Sequence, residues 1–143
     1  MPTKKSDLAK LTKLGGQSAR PERTLEVFPN HLPSPRLRQA GAPQESMEVS
    51  LHCTEFTSIC PATNQPDYAT VDIVYTPDKQ IVEVKSLKLY LETYRNVGVF
   101  NEHLAVDIGQ DFVRFVQPKS CSVKVSFNTR GGIAIAAEWK YKR

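Results

Sequence analysis

Residues 120–139 read SCSVKVSFNTRGGIAIAAEW, and this stretch decides the fold. Cys121, Val123, Val125 and Phe127 alternate with Ser122, Lys124 and Ser126. A period of two belongs to a strand that buries one face. Thr129-Arg130-Gly131-Gly132 then reads as a tight turn, because glycine accepts the left-handed backbone that a hairpin reversal requires. Ile133 to Trp139 returns as a second strand. Two strands alone are marginal in water, so this hairpin needs further elements to cover it.

Those elements lie upstream. Leu104, Ile108, Phe112 and Phe115 recur at helical spacing, with Asn101 placed as N-cap, Glu102 in the first turn and Pro118 closing the segment. Ser86 to Val97 reads as another helix, with Leu87, Tyr90, Leu91 and Tyr94 on one face and Gly98 at its end. Further upstream, Tyr68 to Thr76 is a strand with Val71, Ile73 and Tyr75 on one face. Pro77-Asp78 turns it, and Gln80 to Val84 runs on extended. Met47, Val49, Leu51 and Cys53 alternate with Glu48, Ser50 and His52, another half-buried strand. Thr54 to Asp67 reads as a long loop, of the kind that carries function in a compact domain. The order is ββααββ. It predicts an α+β domain with a four-stranded antiparallel sheet and both helices on one face. Such a sheet has two open edges, which predicts edge pairing between subunits, closed in the limit into a barrel.

The 143 residues divide unevenly. Residues 1–43 hold six of the ten prolines and eight basic against three acidic residues, a net +5. They read as a basic, Pro-rich, partly ordered N-terminal arm, with a short amphipathic turn at Leu8–Leu14 and with Leu25, Val27 and Phe28 pinning the arm to the body. Residues 44–143 carry a net −1 and form the domain. A tail of this charge reads as a solvated arm, and nucleic acid is not required to account for it. No stretch has the roughly 18 apolar residues of a membrane span, and the N-terminal residues lack the apolar core of a secretory signal. The three cysteines fit neither a disulfide framework nor a zinc site, and with the scattered His31, His52 and His103 they give no metal centre. A reducing cytoplasm is the expected compartment.

Candidate chemistry concentrates in the loop EFTSICPATNQPDYA (55–69). Cys60 stands in a proline-stiffened turn with Asp67 seven residues on, a nucleophile with a carboxylate able to move protons. A loop cysteine and a turn-capping aspartate fit the same spacing. Glu83 and Glu102 each stand where an element ends, and a carboxylate pair suits a ligand with adjacent N–H donors such as a guanine ring. Their plain alternatives are pairing with Lys85 or Lys88 and compensation of a helix dipole. Lys85, Lys88, Arg95 and Arg130 offer cationic charge, with Gly131-Gly132 allowing close backbone approach. An ordinary solvated face accounts for them too. No GxGxxG follows a strand, which excludes a Rossmann dinucleotide site.

The segments FTSICPATNQPD (56–67), VEVKSLKLYLETYRN (82–96), GVFNE (98–102) and RGGIAI (130–135), with LGGQ (14–17) and LEVFPN (25–30) in the arm, closely resemble the NADPH-dependent 7-cyano-7-deazaguanine reductases. These are the short, single-module nitrile reductases of queuosine biosynthesis. The resemblance implies the tunnelling fold, with subunits joined edge to edge into a barrel and active sites between them. It implies that Cys60 adds to the nitrile as a thioimide-forming nucleophile and that Asp67 is the proton donor. It places Val82, Glu83, Val84, Asn101 and Glu102 against the substrate, 7-cyano-7-deazaguanine, and Val84, Lys85, Arg130 and Gly131 against NADPH.

Three positions depart from the family pattern. Asn64 stands for the usual glycine, and asparagine tolerates a left-handed backbone. Val84 stands for serine or leucine. Asn101 stands for the usual histidine; it keeps hydrogen-bonding capacity but cannot become a cation. Two rival readings remain open. One is an amidinotransferase-type relative acting on the same nitrile in tRNA, which the EVKSLKLY segment opposes. The other is a non-catalytic purine- or RNA-binding module.

Overall fold

The computed structural model describes residues 11–12, 20–32 and 45–143. Most of the Leu8–Leu14 turn, the LGGQ segment and residues 33–43 of the arm lie outside the described residues. Strands β1 (Val27–Pro29), β2 (Val49–Ile59), β3 (Pro66–Thr76) and β4 (Gln80–Val82) come first. Helix α1 (Val84–Glu92), a 3-10 turn (Thr93–Asn96) and helix α2 (Asn101–Val116) follow, and strands β5 (Ser120–Arg130) and β6 (Ile133–Lys142) close the chain. The main sheet is antiparallel throughout, in the order β2-β3-β5-β6. The α+β architecture expected from the hydrophobic periods is the one found.

One face of the sheet is apolar because the alternation holds: Val71, Ile73, Tyr75, Val123 and Val125 are all buried. The helices cover this face with Leu87, Tyr90 and Leu91 of α1 and Leu104, Ile108 and Phe112 of α2. Phe115, expected on the buried face of α2, is only half-buried, and Val116 takes the last buried position. Tyr90 hydrogen-bonds Asp111 at 2.8 Å and Tyr94 at 3.0 Å, tying α1 and the 3-10 turn to α2. Within the arm, β1 pairs with β4, and Leu25 is buried in the core, so this segment is fastened to the body. No helix among the described residues is long and apolar enough to cross a membrane.

Three expectations are corrected. The long loop expected over Thr54–Asp67 is mostly strand, since β2 runs to Ile59 and β3 begins at Pro66. A β-bulge explains the difference. Between the partnered residues Cys53 and Phe56, β2 carries one residue more than β3 does between Val71 and Ala69. The extra residue breaks the alternation that marks a strand. The helix expected over Ser86–Val97 begins two residues earlier and tightens to 3-10 geometry at Thr93, so Gly98 lies beyond it. Asn101 is not an N-cap: Phe100 holds that position without a side-chain bond, and Asn101 is the first helical residue.

Gly109 lets α2 settle onto β6. A Cβ there would stand 2.1 Å from Cε3 of Trp139, whose ring is itself stacked on Tyr141. Gly109→Ala is therefore expected to destabilise the fold by about 1–2 kcal/mol despite the better helix propensity of alanine. Thermal denaturation followed by circular dichroism checks this, and a melting temperature equal to or above the native value contradicts it.

Candidate active site

Between β2 and β3 the chain reverses through Cys60–Gln65. The Cys60 N–H donates to the Gln65 carbonyl at 2.8 Å, and the Asn64 N–H donates to the Cys60 carbonyl at 2.9 Å. Asn64 closes the reversal with φ of 56°, the left-handed conformation anticipated for this position. The backbone thus folds over the Cys60 side chain.

That fold determines the chemistry of the sulfur. The Thr63 hydroxyl, then the backbone N–H groups of Thr63 and Ala62, stand around it and lower the Cys60 thiol pKa. Hydrogen bonds to a thiolate favour the charged form. Partial burial and the charge of Asp67 act in the opposite direction without reversing the result. Cys121 is the contrast: burial pushes its thiol up to about 12, so it behaves as a small core hydrophobe.

Asp67 sits on β3 with 3% of its surface exposed and is ion-paired to Arg130. A second bulge makes that pair. Between the partnered residues Phe127 and Arg130, β5 carries one residue more than β6 does between Ile135 and Ile133. The insertion turns Arg130 toward the face that Asp67 occupies. The Arg130 side chain remains 51% exposed, and the glycines beside it have positive φ and open space where a Cβ would stand.

The start of α2 is held near this cluster. The Ile59 N–H donates to the Val97 carbonyl at 3.0 Å and the Val99 N–H to the Ile59 carbonyl at 3.2 Å, with Gly98 against Pro61. Asn101 is buried and Glu102 exposed just beyond. One chain therefore gathers Cys60, Asp67 and Arg130, with Gly131 next to Arg130 and Asn101 and Glu102 close by in the chain.

The remaining expected residues lie elsewhere. Val82, Glu83, Val84 and Lys85 stand at the opposite end of α1, separated from Val97 by about 20 Å of helix. The Val82 N–H meets the Tyr75 hydroxyl at 3.2 Å, at the far end of β3 from Asp67. Glu83 caps α1, accepting from the Lys85 N–H at 2.8 Å and the Ser86 N–H at 2.7 Å. Its carboxylate thus meets the Lys85 backbone instead of a lysine ammonium. Glu83 and Glu102 do not share a pocket within one chain. Val84 is 60% exposed and lines a groove of about 430 Å³ with Leu51, Cys53, Phe56 and Arg95.

Sequence reasoning missed Thr63, whose only signal is a hydroxyl three residues after a loop cysteine. It also missed the partnership of Arg130 with Asp67, residues 63 positions apart. Replacing Thr63 with valine removes the largest influence lowering the Cys60 pKa and leaves the two backbone donors. In Thr63→Val the thiol pKa rises, so iodoacetamide labelling of Cys60 near neutral pH slows several-fold and its pH profile moves to higher pH. A profile superimposable on the native one removes Thr63 from the support of the thiolate.

The family model described as QueF-like protein matches residues 66–143. A reductase of Frankia casuarinae, named NADPH-dependent 7-cyano-7-deazaguanine reductase, is 47% identical over 133 residues, covering 93% of this chain and 97% of that protein. A protein of the same name from Syntrophus aciditrophicus is 44% identical over 141 residues, covering 99% of this chain and 93% of its own. The crystal structure of the archaeosine synthase QueF-Like in the apo form superposes with a TM-score of 0.59 at 20% identity, over 68% of this chain and 94% of that one. It shows a shared fold. With relatives this similar along nearly their whole length, the chain belongs to the QueF-like family, that of the NADPH-dependent 7-cyano-7-deazaguanine reductases.

Proposed function

We propose that this protein reduces the nitrile of 7-cyano-7-deazaguanine to the aminomethyl group with NADPH, through a thioimide on Cys60, in queuosine biosynthesis. The observation that carries the reading is a cysteine at the mouth of a tight β2–β3 reversal, with the buried carboxyl group of Asp67 on the adjoining strand. A nitrile carbon is electrophilic but resists hydride. Addition of the Cys60 thiolate makes it a C=N carbon, which accepts hydride more readily. The nitrogen gains the electron pair of the broken π bond and takes a proton from Asp67. After the first reduction the C–S bond breaks, the thiolate leaves and an imine remains for the second. Two hydrides and two protons in all convert nitrile to amine.

NADPH supplies the hydrides. Arg130 and the open Gly131 turn suit a phosphate-bearing group, because the guanidinium is half-exposed and no side chain crowds the glycine. Val84 and Lys85 are the other residues assigned to it, at the distant end of α1. Asn101 and Glu102 hold the deazaguanine beside Cys60, Asn101 by hydrogen bonding alone. Val82, Glu83 and Val84 bind it from the far end of a neighbouring chain. A site that uses both ends of α1 therefore needs two subunits, with the exposed edges of β2 and β6 as their junction. A homo-oligomer in the reducing cytoplasm, where Cys60 stays a thiol, fits this arrangement.

Mixing the protein with 7-cyano-7-deazaguanine alone produces a new absorbance band and a matching mass increase on Cys60. Cys60→Ala shows neither and does not oxidise NADPH. Nitrile-dependent NADPH oxidation by Cys60→Ala defeats the mechanism. The shared site is tested separately. Cys60→Ala and Glu83→Gln chains, each impaired alone, are unfolded together and refolded. Part of the native activity returns if one site draws on two chains, and none returns if each chain is self-sufficient.

A further inference from the structure

Ser58 carries a hydroxyl for which the fold itself has no use. The residue is 0% exposed, and among the described residues its Oγ is the buried side-chain polar atom left without a hydrogen-bond partner. Such an atom costs free energy that alanine in its place would not. Its position is informative. Ser58 pairs in register with Asp67 across β2 and β3, so the two side chains leave the same face with Cβ atoms about 5 Å apart. The bulge after Cys53 puts it on that face. Without the extra residue, Ser58 would point to the opposite side of the sheet. Asp67 is thus flanked on one strand by Arg130, which it already binds, and on the other by a hydroxyl that binds nothing.

We propose that Ser58 is a positioning residue for Asp67, holding its carboxyl group during proton delivery to the adduct on Cys60. The proposal rests on the reading of Asp67 as the proton donor. Arg130 binds the carboxylate in the free protein. When its guanidinium turns to the phosphate of an arriving cofactor, the buried carboxyl group needs a second partner. A hydroxyl serves both forms, accepting from the protonated acid and donating to the carboxylate left after transfer. The proton passes from Asp67 to nitrogen, and Ser58 keeps its own. Because its Oγ has no access to solvent, Ser58 acts through Asp67 and does not touch the substrate.

The test compares Ser58→Ala and Ser58→Thr in the full chain. A hydroxyl with only a structural role would make the alanine variant melt lower. The expected result is a melting temperature at or above the native one and a Cys60 adduct that reaches its native extent but forms more slowly. With these, kcat falls about tenfold and KM for the nitrile stays within about twofold. Ser58→Thr, which restores the hydroxyl, recovers kcat even where its extra methyl lowers the melting temperature. Native kcat in Ser58→Ala overturns the proposal, as does a parallel fall of kcat and melting temperature that threonine does not reverse. A native protein that forms no adduct and turns nothing over overturns the reductase reading, and this proposal with it.

Discussion

The meeting of Ser58, Asp67 and Arg130 in the candidate site depends on the register of β3 between its two neighbours. Asp67 lies near the start of that strand, directly opposite Ser58 on β2 and within reach of Arg130 on β5. Each neighbour carries one inserted residue close to this end of the sheet. In a strand, one extra residue exchanges the faces of everything beyond it. The two bulges therefore turn Ser58 and Arg130 inward at the level where Asp67 is already inward. The regular alternation that builds the core is interrupted where the chemistry is assembled.

The same end of the sheet organises the Cys60 turn. Because β2 continues to Ile59 before turning, the reversal that follows is short, and its backbone donors have little choice but to close over Cys60. The backbone bonds from Ile59 to Val97 and Val99 then bring the start of α2 alongside. At the other end of α1, Glu83 serves as a cap, an arrangement that fixes the exposed Val84 and the groove beside it. A single chain thus presents two separate half-sites. If the residues at both ends of α1 serve one site, as the resemblance implies, that site draws on two chains.

Much of this was legible in the residues. The α+β class and the helix faces follow from hydrophobic periods, and the left-handed backbone at Asn64 agrees with the glycine that the resemblance places there. The fastening of Leu25, Val27 and Phe28 was likewise expected and found. The extent of the Cys60 loop was misread because a bulge erases alternation locally, and Thr54–Glu55 then look like loop residues. Asn101 was misread as a cap because a short polar residue before an amphipathic run carries the same local signal whether it stands just outside the helix or opens it.

The sequence by itself determined which segments are strands and helices, since burying one face imposes a period that can be counted along the chain. It also determined the local chemistry of the Cys60 turn, whose donors lie within three residues of the sulfur. Only the tertiary structure decided that Arg130 meets Asp67, that Ser58 faces it unpaired, and that Glu83 and Cys60 lie at opposite ends of one subunit. The reason is that the face a strand residue occupies, and the residue it meets, depend on how many residues the neighbouring strand spends over the same distance. That count is a property of two strands in register, and no single stretch of sequence contains it.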